Sequence, residues 1–355
     1  MKHIRIPYAM ILLLLTAALV ASLVLSMGFG AVSIPAGEVA SVVWEGLCAL
    51  CGSLSGHEAE MPSSSVATIL LSIRMPRVLM AAIVGAGLSL SGVVMQAIVR
   101  NPLANPYILG ISSGATLGAA AAILLGAFTV FGNYGTSLGA FLGALAASAF
   151  VFTVAFSGRG SSSTVKLLLS GMAVNAICSS FTSFLVYTAN DAEGIRDINF
   201  WTMGSLTSTT WEMLPIPLWT VLLLGLFFLT QFRALDVMLL GQDAATTLGV
   251  NIVQLRKIYM ALSACITGVM VAMVGTIGFV GLIVPHVTRM FTGAEHRRLI
   301  PASLLLGSIF LVWCDVFARI YLQNVELPIG IVTGIIGGPF FIYLMLTKQY
   351  GFGGE

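Results

Sequence analysis

The sequence predicts an all-α integral membrane protein, with about ten transmembrane helices in one domain that spans residues 1–355. Hydrophobic residues make up 58% of the chain and charged residues only 8%, and the mean hydropathy is +1.00. No ordinary soluble domain of this length has such a composition. The basic residues behind the net charge of +2 are scattered at the ends of apolar runs, so they do not indicate nucleic-acid binding.

Apolar runs of membrane-spanning length define the helices, because a span needs about 20 apolar residues. The first run follows Lys2 and Arg5 and is too long for the core of a signal peptide, so we expect it to remain as a span. The second run is overlong and predicts a tilted or protruding helix. The eighth is short and glycine-rich, which predicts a helix that is broken or does not cross fully. The ten predicted spans lie near 8–27, 66–99, 107–126, 136–156, 165–187, 213–232, 257–275, 278–292, 300–321 and 328–347.

The distribution of basic residues predicts the orientation in the membrane. With both termini in the cytoplasm, twelve of the lysines and arginines lie on the cytoplasmic side and four on the outer side. The opposite orientation would reverse this ratio. The four outer residues are Arg74, Arg77, Arg196 and Arg319.

Three segments between the spans carry polar sequence. The outer loop at about 28–65 contains an amphipathic helix after Pro35 and then a polar stretch, and the outer segment 188–212 contains a short helix from Ile195 to Leu206. The cytoplasmic segment at about 233–257 contains a short helix between two glycines, with an acid early in the helix where the dipole favours it. A soluble partner could push on this helix. The alternative is a solvated loop that joins two spans.

Several classes of site are disfavoured by the motifs. Cys48 and Cys51 form a lone CxxC near His57 without a second ligand pair, which is weak evidence for a metal site. No lysine lies in a P-loop pattern, so any ATPase must be a partner. The deep acid Asp315 has Arg319 four residues later, which indicates an internal ion pair. No nucleophile–base pair, metal cluster or proton relay is evident, which predicts a transport subunit rather than an enzyme.

Arg74 and Arg77 break the positive-inside pattern. We expect them at the outer, N-terminal end of the second span, with Pro76 in its first turn, where positive side chains oppose the helix dipole. An acidic partner on the outer surface would compensate for them. The alternative is that they extend to lipid headgroups.

Motifs in a consistent order from about residue 70 to residue 345 resemble the permeases of ABC importers for iron-siderophores, haem and cobalamin, the type II importers. The motifs are Arg74-Met-Pro-Arg77, Gly85-Ala-Gly87 through Gly92 to Gln96, Arg100-Asn-Pro with Pro106, Leu109-Gly-Ile-Ser-Ser-Gly114, Gly241 through Gly249, Gly278-Phe-Val-Gly with Pro285-His286 and Arg289, His296-Arg-Arg298, Asp315 with Arg319, and Glu326-Leu-Pro-Ile-Gly330 with Gly337-Gly-Pro-Phe340.

This resemblance implies a permease of ten helices in two five-helix halves that are inverted repeats, assembled as a homodimer with the path on its axis and lined by the fifth and tenth spans. Two cytoplasmic ATP-binding cassette subunits, which hold ATP and Mg, and one periplasmic or lipid-anchored binding protein are the implied partners. The implied sites are a coupling helix that docks on the ATPase, a binding-protein docking site and a cytoplasmic gate. By resemblance these comprise Gly241, Gln242, Asp243, Ala244, Ala245, Thr246, Leu248 and Gly249 for coupling, Arg74, Arg77 and Arg319 for docking, and Ser162, Ser163 and Thr164 for the gate.

The expected function is therefore the membrane subunit of an ATP-driven importer in the cytoplasmic membrane of a bacterium or archaeon, with no cofactor or metal bound by this chain. A ferric siderophore is the favoured cargo, and haem and cobalamin are the alternatives. An ion-coupled secondary transporter is the rival from another class. It would require intramembrane charges or broken-helix ion sites. A purely structural scaffold would leave the outer arginines and the cytoplasmic helix without a role.

Overall fold

The computed structural model describes residues 7–30, 32–54, 64–157, 164–241, 247, 251–322 and 325–347. These residues form helices joined by short turns, and they contain no strand. Eight of the helices are long and apolar enough to cross a membrane. The predicted all-α membrane fold is therefore confirmed.

The helices are numbered here in chain order. They are α1 Tyr8–Gly28, α2 Ala36–Leu54, α3 Ser65–Val99, α4 Ile111–Leu125, α5 Gly135–Phe156, α6 Thr164–Thr188, α7 Ala192–Thr202, α8 Pro215–Thr230, α9 Phe232–Leu239, α10 Ile252–Val274, α11 Val280–Thr292, α12 His296–Ile320 and α13 Ile329–Thr347.

Each of the ten predicted spans coincides with one of these helices, and α2 and α7 are the two helices predicted in the outer segments. The second span is overlong as expected, since α3 has 35 residues. The eighth is short as expected, since α11 has 13 residues. Helix α4 is also short for a span, with 15 residues, because its first predicted residues form a separate 3-10 turn over Pro106–Leu109.

The outer arginines lie towards the N-terminal end of the second span, as predicted, and Pro76 is in the first turn of its α-helical part Met75–Val99. Helical turns precede this part, however, because α3 begins at Ser65. The positive end of the helix dipole therefore lies before Arg74 and Arg77 and opposes them less than the sequence suggested. The segment Ile69–Arg74 is a π-helix that leads directly into Pro76. A proline ring clashes with the carbonyl of the preceding turn and removes a hydrogen-bond donor, and the wider π-turn relieves that clash without ending the helix.

The core is organised around α3. In the most apolar 18-residue stretch of α3, 83% of the residues are buried inside the molecule, compared with 17% for α1 and 28% for α13. Helices α10, α11 and α12 pack directly against α3, and α4, α5 and α6 form a second group next to α10. At the periphery of the helix bundle, α1, α6, α8 and α13 have large apolar side chains that are exposed. Such faces are expected to contact lipid or other subunits.

Glycine permits the closest contacts between the helices. A Cβ atom on Gly118 would lie 2.0 Å from the carbonyl oxygen of Gly139, which joins α4 to α5. A Cβ atom on Gly85 would lie 2.2 Å from the carbonyl oxygen of Gly307, which joins α3 to α12. Only glycine allows the two backbones to approach this closely. The second contact fixes the relative position of the two helices that carry the outer charged residues.

Candidate docking and coupling sites

The outer ends of α3 and α12 bring five charged side chains together. We call these the outer charge cluster, and "outer" and "inner" denote the two sides predicted from the basic residues. The cluster consists of Arg74 and Arg77 on α3, Asp315 and Arg319 on α12, and Glu326 just before α13. Three cations and two carboxylates meet here, so the cluster keeps one excess positive charge.

Arg77 lies between the two carboxylates. Its Nε donates to Oδ1 of Asp315 at 2.9 Å, and its Nη1 donates to Oε2 of Glu326 at 2.7 Å. The Asp315 side chain is 1% exposed and that of Arg77 is 9% exposed. A charge buried this deeply is tolerated only when it is paired, because burial removes its hydration. Asp315 and Glu326 therefore compensate for Arg77 from within the chain.

Arg319 shares the Asp315 carboxylate. Its Nε lies 3.0 Å from Oδ2 of Asp315, which confirms the predicted ion pair between these two residues. The other end of the guanidinium contacts the end of α1: Nη1 donates to the carbonyl of Phe29 at 2.7 Å, and Nη2 donates to that of Ser26 at 3.1 Å.

Arg74 contacts the same end of α1. Its Nη1 donates to the carbonyl of Met27 and its Nη2 donates to that of Val32, both at 2.6 Å. Gly30 lies directly against the guanidinium, since a Cβ atom there would be 2.6 Å from Nη2. The last carbonyls of a helix lack partners in their own helix and carry partial negative charge, so Arg74 and Arg319 cap α1 well.

The three arginines predicted for docking are thus brought together, but each is buried. They are 7%, 8% and 7% exposed in the order Arg74, Arg77, Arg319, and all three have partners inside the chain. Within the described residues of the cluster, only Glu326 reaches the surface, with 44% of its side chain exposed. The docking role of the arginines stays a prediction, and the internal partners show that it cannot rest on free cations.

On the inner side, α9 leads into the predicted coupling helix. We call residues 241–249, which contain it, the coupling segment. Gly241 follows this helix with φ +100°, a conformation that favours glycine, and a Cβ atom there would lie 2.9 Å from Nη1 of Arg100. The remaining predicted coupling residues, Gln242, Asp243, Ala244, Ala245, Thr246, Leu248 and Gly249, lie outside the described residues. The structure therefore places the start of the segment and leaves the role of the segment as a prediction.

Helix α9 is attached to the inner end of α12 through Asp236. Oδ1 of Asp236 accepts from the backbone N–H of His296 at 3.0 Å and lies 2.6 Å from Nδ1 of the same residue. Leu235 and Met238, on the same helix as Asp236, are buried. Sequence reasoning assigned no role to Asp236, because its partner is 60 residues away and the pattern of α9 shows only its apolar face.

A second inner contact ties α3 to α11. Nη1 of Arg289 donates to Oε1 of Gln96, whose Nε2 donates to the carbonyl of Gly281 at 3.3 Å. Arg289 therefore has a structural contact at the inner side of the helix bundle. The predicted cytoplasmic gate is at the start of α6, which begins at Thr164. Ser162, Ser163 and the side chain of Thr164 lie outside the described residues, so the gate stays a prediction.

Most of the CxxC motif lies outside the described residues, so its weak prediction of a metal site stays a prediction. Cys48 is a free, exposed cysteine, whereas the side chain of Cys51 and all of His57 lie outside the description. No group of three or more His, Cys, Asp or Glu side chains that could hold a metal ion occurs among the described residues.

Comparison with known proteins decides the family. Residues 16–347 match the model of the FecCD transport family. The chain belongs to this family. The match begins within the first predicted span and extends over the other nine, and together with the apolar helices it shows a multi-pass membrane protein of the ABC permease type.

Two curated relatives and one solved structure illustrate the likeness. The chain is 40% identical to the hemin transport system permease protein HmuU of Yersinia pestis over 79% of this chain and 84% of the relative. It is 41% identical to the cobalamin import system permease protein BtuC of Halobacterium salinarum over 78% of this chain and 73% of the relative. An inward-facing structure of a metal-chelate type ABC transporter superposes with a TM-score of 0.80 at 34% identity, and it covers 96% of this chain and 100% of the solved one.

Proposed function

We propose that this FecCD-family permease is the membrane subunit of an ATP-driven importer that moves a metal chelate into the cytoplasm, with a ferric siderophore as the cargo. Two ATP-binding cassette subunits would dock on the inner side and hold ATP and Mg, and one periplasmic or lipid-anchored binding protein would dock on the outer side. The chain itself would act as a homodimer in the cytoplasmic membrane of a bacterium or archaeon, with both termini inside.

One observation carries this proposal beyond family membership. Helix α12 is continuous from His296 to Ile320, and it is attached to α9 at its inner end and to the outer charge cluster at its other end. A movement of the coupling segment, which follows α9 directly, would therefore reach an element that extends to the outer surface. An importer that works by alternating access needs such a connection between its ATPase and its binding protein.

The cargo is the finer part of the proposal. Similar permeases are named for hemin and for cobalamin, so these two cargoes remain the alternatives to a siderophore. The path would lie between two copies of the chain and would be lined by α6 and α13, whose exposed faces are mainly apolar. The gate residues Ser162, Ser163 and Thr164 are hydroxyl-bearing side chains, which could close without holding a polar cargo.

The distribution of charge favours this function over ion-coupled transport. In the described membrane helices, the buried arginines and aspartates are Arg74, Arg77, Asp315 and Arg319, and all of them belong to the outer charge cluster. An ion-driven carrier would need ionisable groups or broken-helix sites near the middle of the membrane. The described residues supply no acid there.

Uptake into vesicles tests the proposal. The vesicles would hold this chain, its ATPase and its binding protein, and uptake of ferric siderophores, haem and cobalamin would be compared with and without ATP. A matched control uses an ATPase variant that binds ATP without hydrolysing it. Uptake of one cargo only with hydrolysable ATP supports the function and identifies the cargo. Uptake driven by an ion gradient in the absence of ATP would overturn it.

A further inference from the structure

The outer charge cluster presents a carboxylate, rather than an arginine, to the surface. Of its five charged side chains, the four on α3 and α12 are nearly inaccessible, whereas Glu326 has 44% of its side chain exposed. An acidic group that approaches the cluster from outside therefore meets a like charge first. Arg77, which is predicted to bind an acidic partner, already binds Asp315 and Glu326 of its own chain.

Most contacts in the cluster cannot be exchanged without exposing a buried group. Arg74 and Arg319 hold the carbonyls at the end of α1, and release would leave those acceptors unpaired. Asp315 is shared by Arg77 and Arg319 and is 1% exposed, so its departure would leave two buried cations without their common partner.

The contact between Arg77 and Glu326 is different. It uses Nη1 of Arg77, while Nε stays on Asp315, so losing Glu326 leaves Arg77 with one carboxylate. The backbone next to Glu326 is held independently, since the N–H of Leu327 donates to the carbonyl of Ala318 at 3.1 Å. The Glu326 side chain can therefore turn into solvent by rotation alone.

We propose that Glu326 is an internal substitute for a carboxylate of the docking partner. In the free permease it neutralises Nη1 of Arg77. When the binding protein docks, an aspartate or glutamate on its surface takes this position, and Glu326 turns outward. The inference rests on the docking role given above to the outer charge cluster, and it specifies both the group that is displaced and the chemistry that displaces it.

The exchange explains how a buried arginine can serve as a docking group. An empty Arg77 Nη1 would carry an uncompensated desolvation penalty whenever the binding protein is absent, and Glu326 removes that penalty. Because one ion pair replaces another, docking gains little net electrostatic energy at this point, which suits a partner that must leave after delivering its cargo. It also predicts that removing Glu326 strengthens docking, the opposite of the usual effect of removing a contact residue.

The experiment measures the affinity of the binding protein for the complete permease–ATPase complex in lipid nanodiscs. The probe is the binding protein that supports uptake in the vesicle assay. Affinity is measured from low to moderate salt for the wild type, Glu326→Gln, Glu326→Ala, Arg77→Gln and the double variant Arg77→Gln/Glu326→Ala. Glu326→Ala is included because a glutamine could still accept a hydrogen bond from Arg77.

We expect both single Glu326 variants to tighten docking by about five-fold at low salt, equivalent to about 1 kcal/mol. Their affinity should also fall more steeply with salt, since docking now creates an ion pair instead of replacing one. The effect should disappear in the Arg77→Gln background. The matched control is Glu193→Gln, which removes an exposed acid of α7 on the same side of the membrane without touching Arg77.

Two different failures are separable. If Arg77→Gln leaves the docking affinity of the complex unchanged, the docking role of the cluster is wrong. If Arg77→Gln weakens docking but the Glu326 variants behave like Glu193→Gln, or weaken docking themselves, the docking role stands and the exchange is overturned. A tightening that persists without Arg77 would mean a general effect of surface charge, and this too would overturn the exchange.

Discussion

Oδ1 of Asp236 accepts two hydrogen bonds from His296, one from its backbone N–H at 3.0 Å and one from its Nδ1 at 2.6 Å. The first bond satisfies an unpaired donor at the start of α12, where Glu295 gives no side-chain cap. The second fixes the imidazole tautomer, because Nδ1 must carry the proton. His296 is 1% exposed, and Nε2 has no hydrogen-bond partner in the described part of the chain, which suits the unprotonated nitrogen of a neutral ring.

Asp236→Ala should detach α9 from α12 and reduce the coupling between ATP hydrolysis and uptake. We expect the free energy of unfolding to fall by about 1–2 kcal/mol, as for loss of a helix cap. In vesicles, we expect more ATP to be hydrolysed per cargo molecule moved. A purely structural effect would lower uptake and coupled hydrolysis together without changing their ratio.

Two variants control this measurement. Asp236→Asn retains the Oδ1 acceptor and should keep a ratio close to that of the wild type. Glu295→Ala removes the neighbouring acid, which forms only an exposed pair with Arg298 at 3.2 Å, and should change nothing measurable. An unchanged ratio in Asp236→Ala would show that this contact does not carry the coupling.

Arg319→Met should strongly destabilise the protein, because Arg319 forms a buried ion pair and holds the end of α1. The substitution leaves Asp315 with one cation instead of two and removes the donors that hold the carbonyls of Phe29 and Ser26. Breaking a buried ion pair by removing one partner costs about 3–5 kcal/mol. We expect a large decrease in thermal stability in detergent, together with proteolysis at the end of α1.

Arg196→Met is the matched control for Arg319→Met. Arg196 is also a predicted outer arginine, but it is exposed and lies over the ring of Phe200 at 5.5 Å. Its removal should change stability by less than about 1 kcal/mol. Equal losses in the two variants would contradict the structural role given to Arg319.

Gly92→Ala should prevent correct packing of α3 against α11. A Cβ atom at Gly92 would lie 1.9 Å from the carbonyl oxygen of Gly281, a distance that no side-chain rotation can relieve. We expect little folded protein in size-exclusion chromatography. Gly37→Ala on α2 meets nothing within 4 Å and should be tolerated. A normal yield of the Gly92 variant would mean that the two helices are not in this contact.

The sequence predicted the number and order of the spans because each is a long apolar run with basic residues near its ends, and these are local properties. It also predicted the pair of Asp315 and Arg319, which are four residues apart on one helix. It could not predict that Arg77 shares the same carboxylate, because 238 residues separate them. Such a contact depends on how α3 and α12 pack, which the Gly85–Gly307 approach decides.

The π-helical segment before the outer arginines shows a second limit. Pro76 is typical of the first turn of a helix, and the sequence does not indicate that irregular helical turns precede it. The π-helical segment Ile69–Arg74 lets the helix continue through this proline, and no local pattern marks a π-turn. Similarly, Glu326 lies in the non-helical segment just before α13, and only the three-dimensional structure shows that it neutralises Arg77.

Ser91 provides a test of how much polar contacts contribute inside this protein. Its Oγ lies 2.6 Å from Oγ of Ser263 and 2.6 Å from Oγ1 of Thr267, so it connects α3 to α10, and all three residues are fully buried. Hydrogen bonds between membrane helices contribute on average about 0.6 kcal/mol, with a maximum near 1.7.

Ser91→Ala should therefore lower the free energy of unfolding by only about 1–2 kcal/mol and leave ATP-dependent uptake intact. Ser41→Ala is the control, since Ser41 is exposed and its hydroxyl donates to the carbonyl of Glu38 in its own helix. If Ser91→Ala folds normally but abolishes uptake, this cluster would have a role in transport rather than in holding α3 against α10.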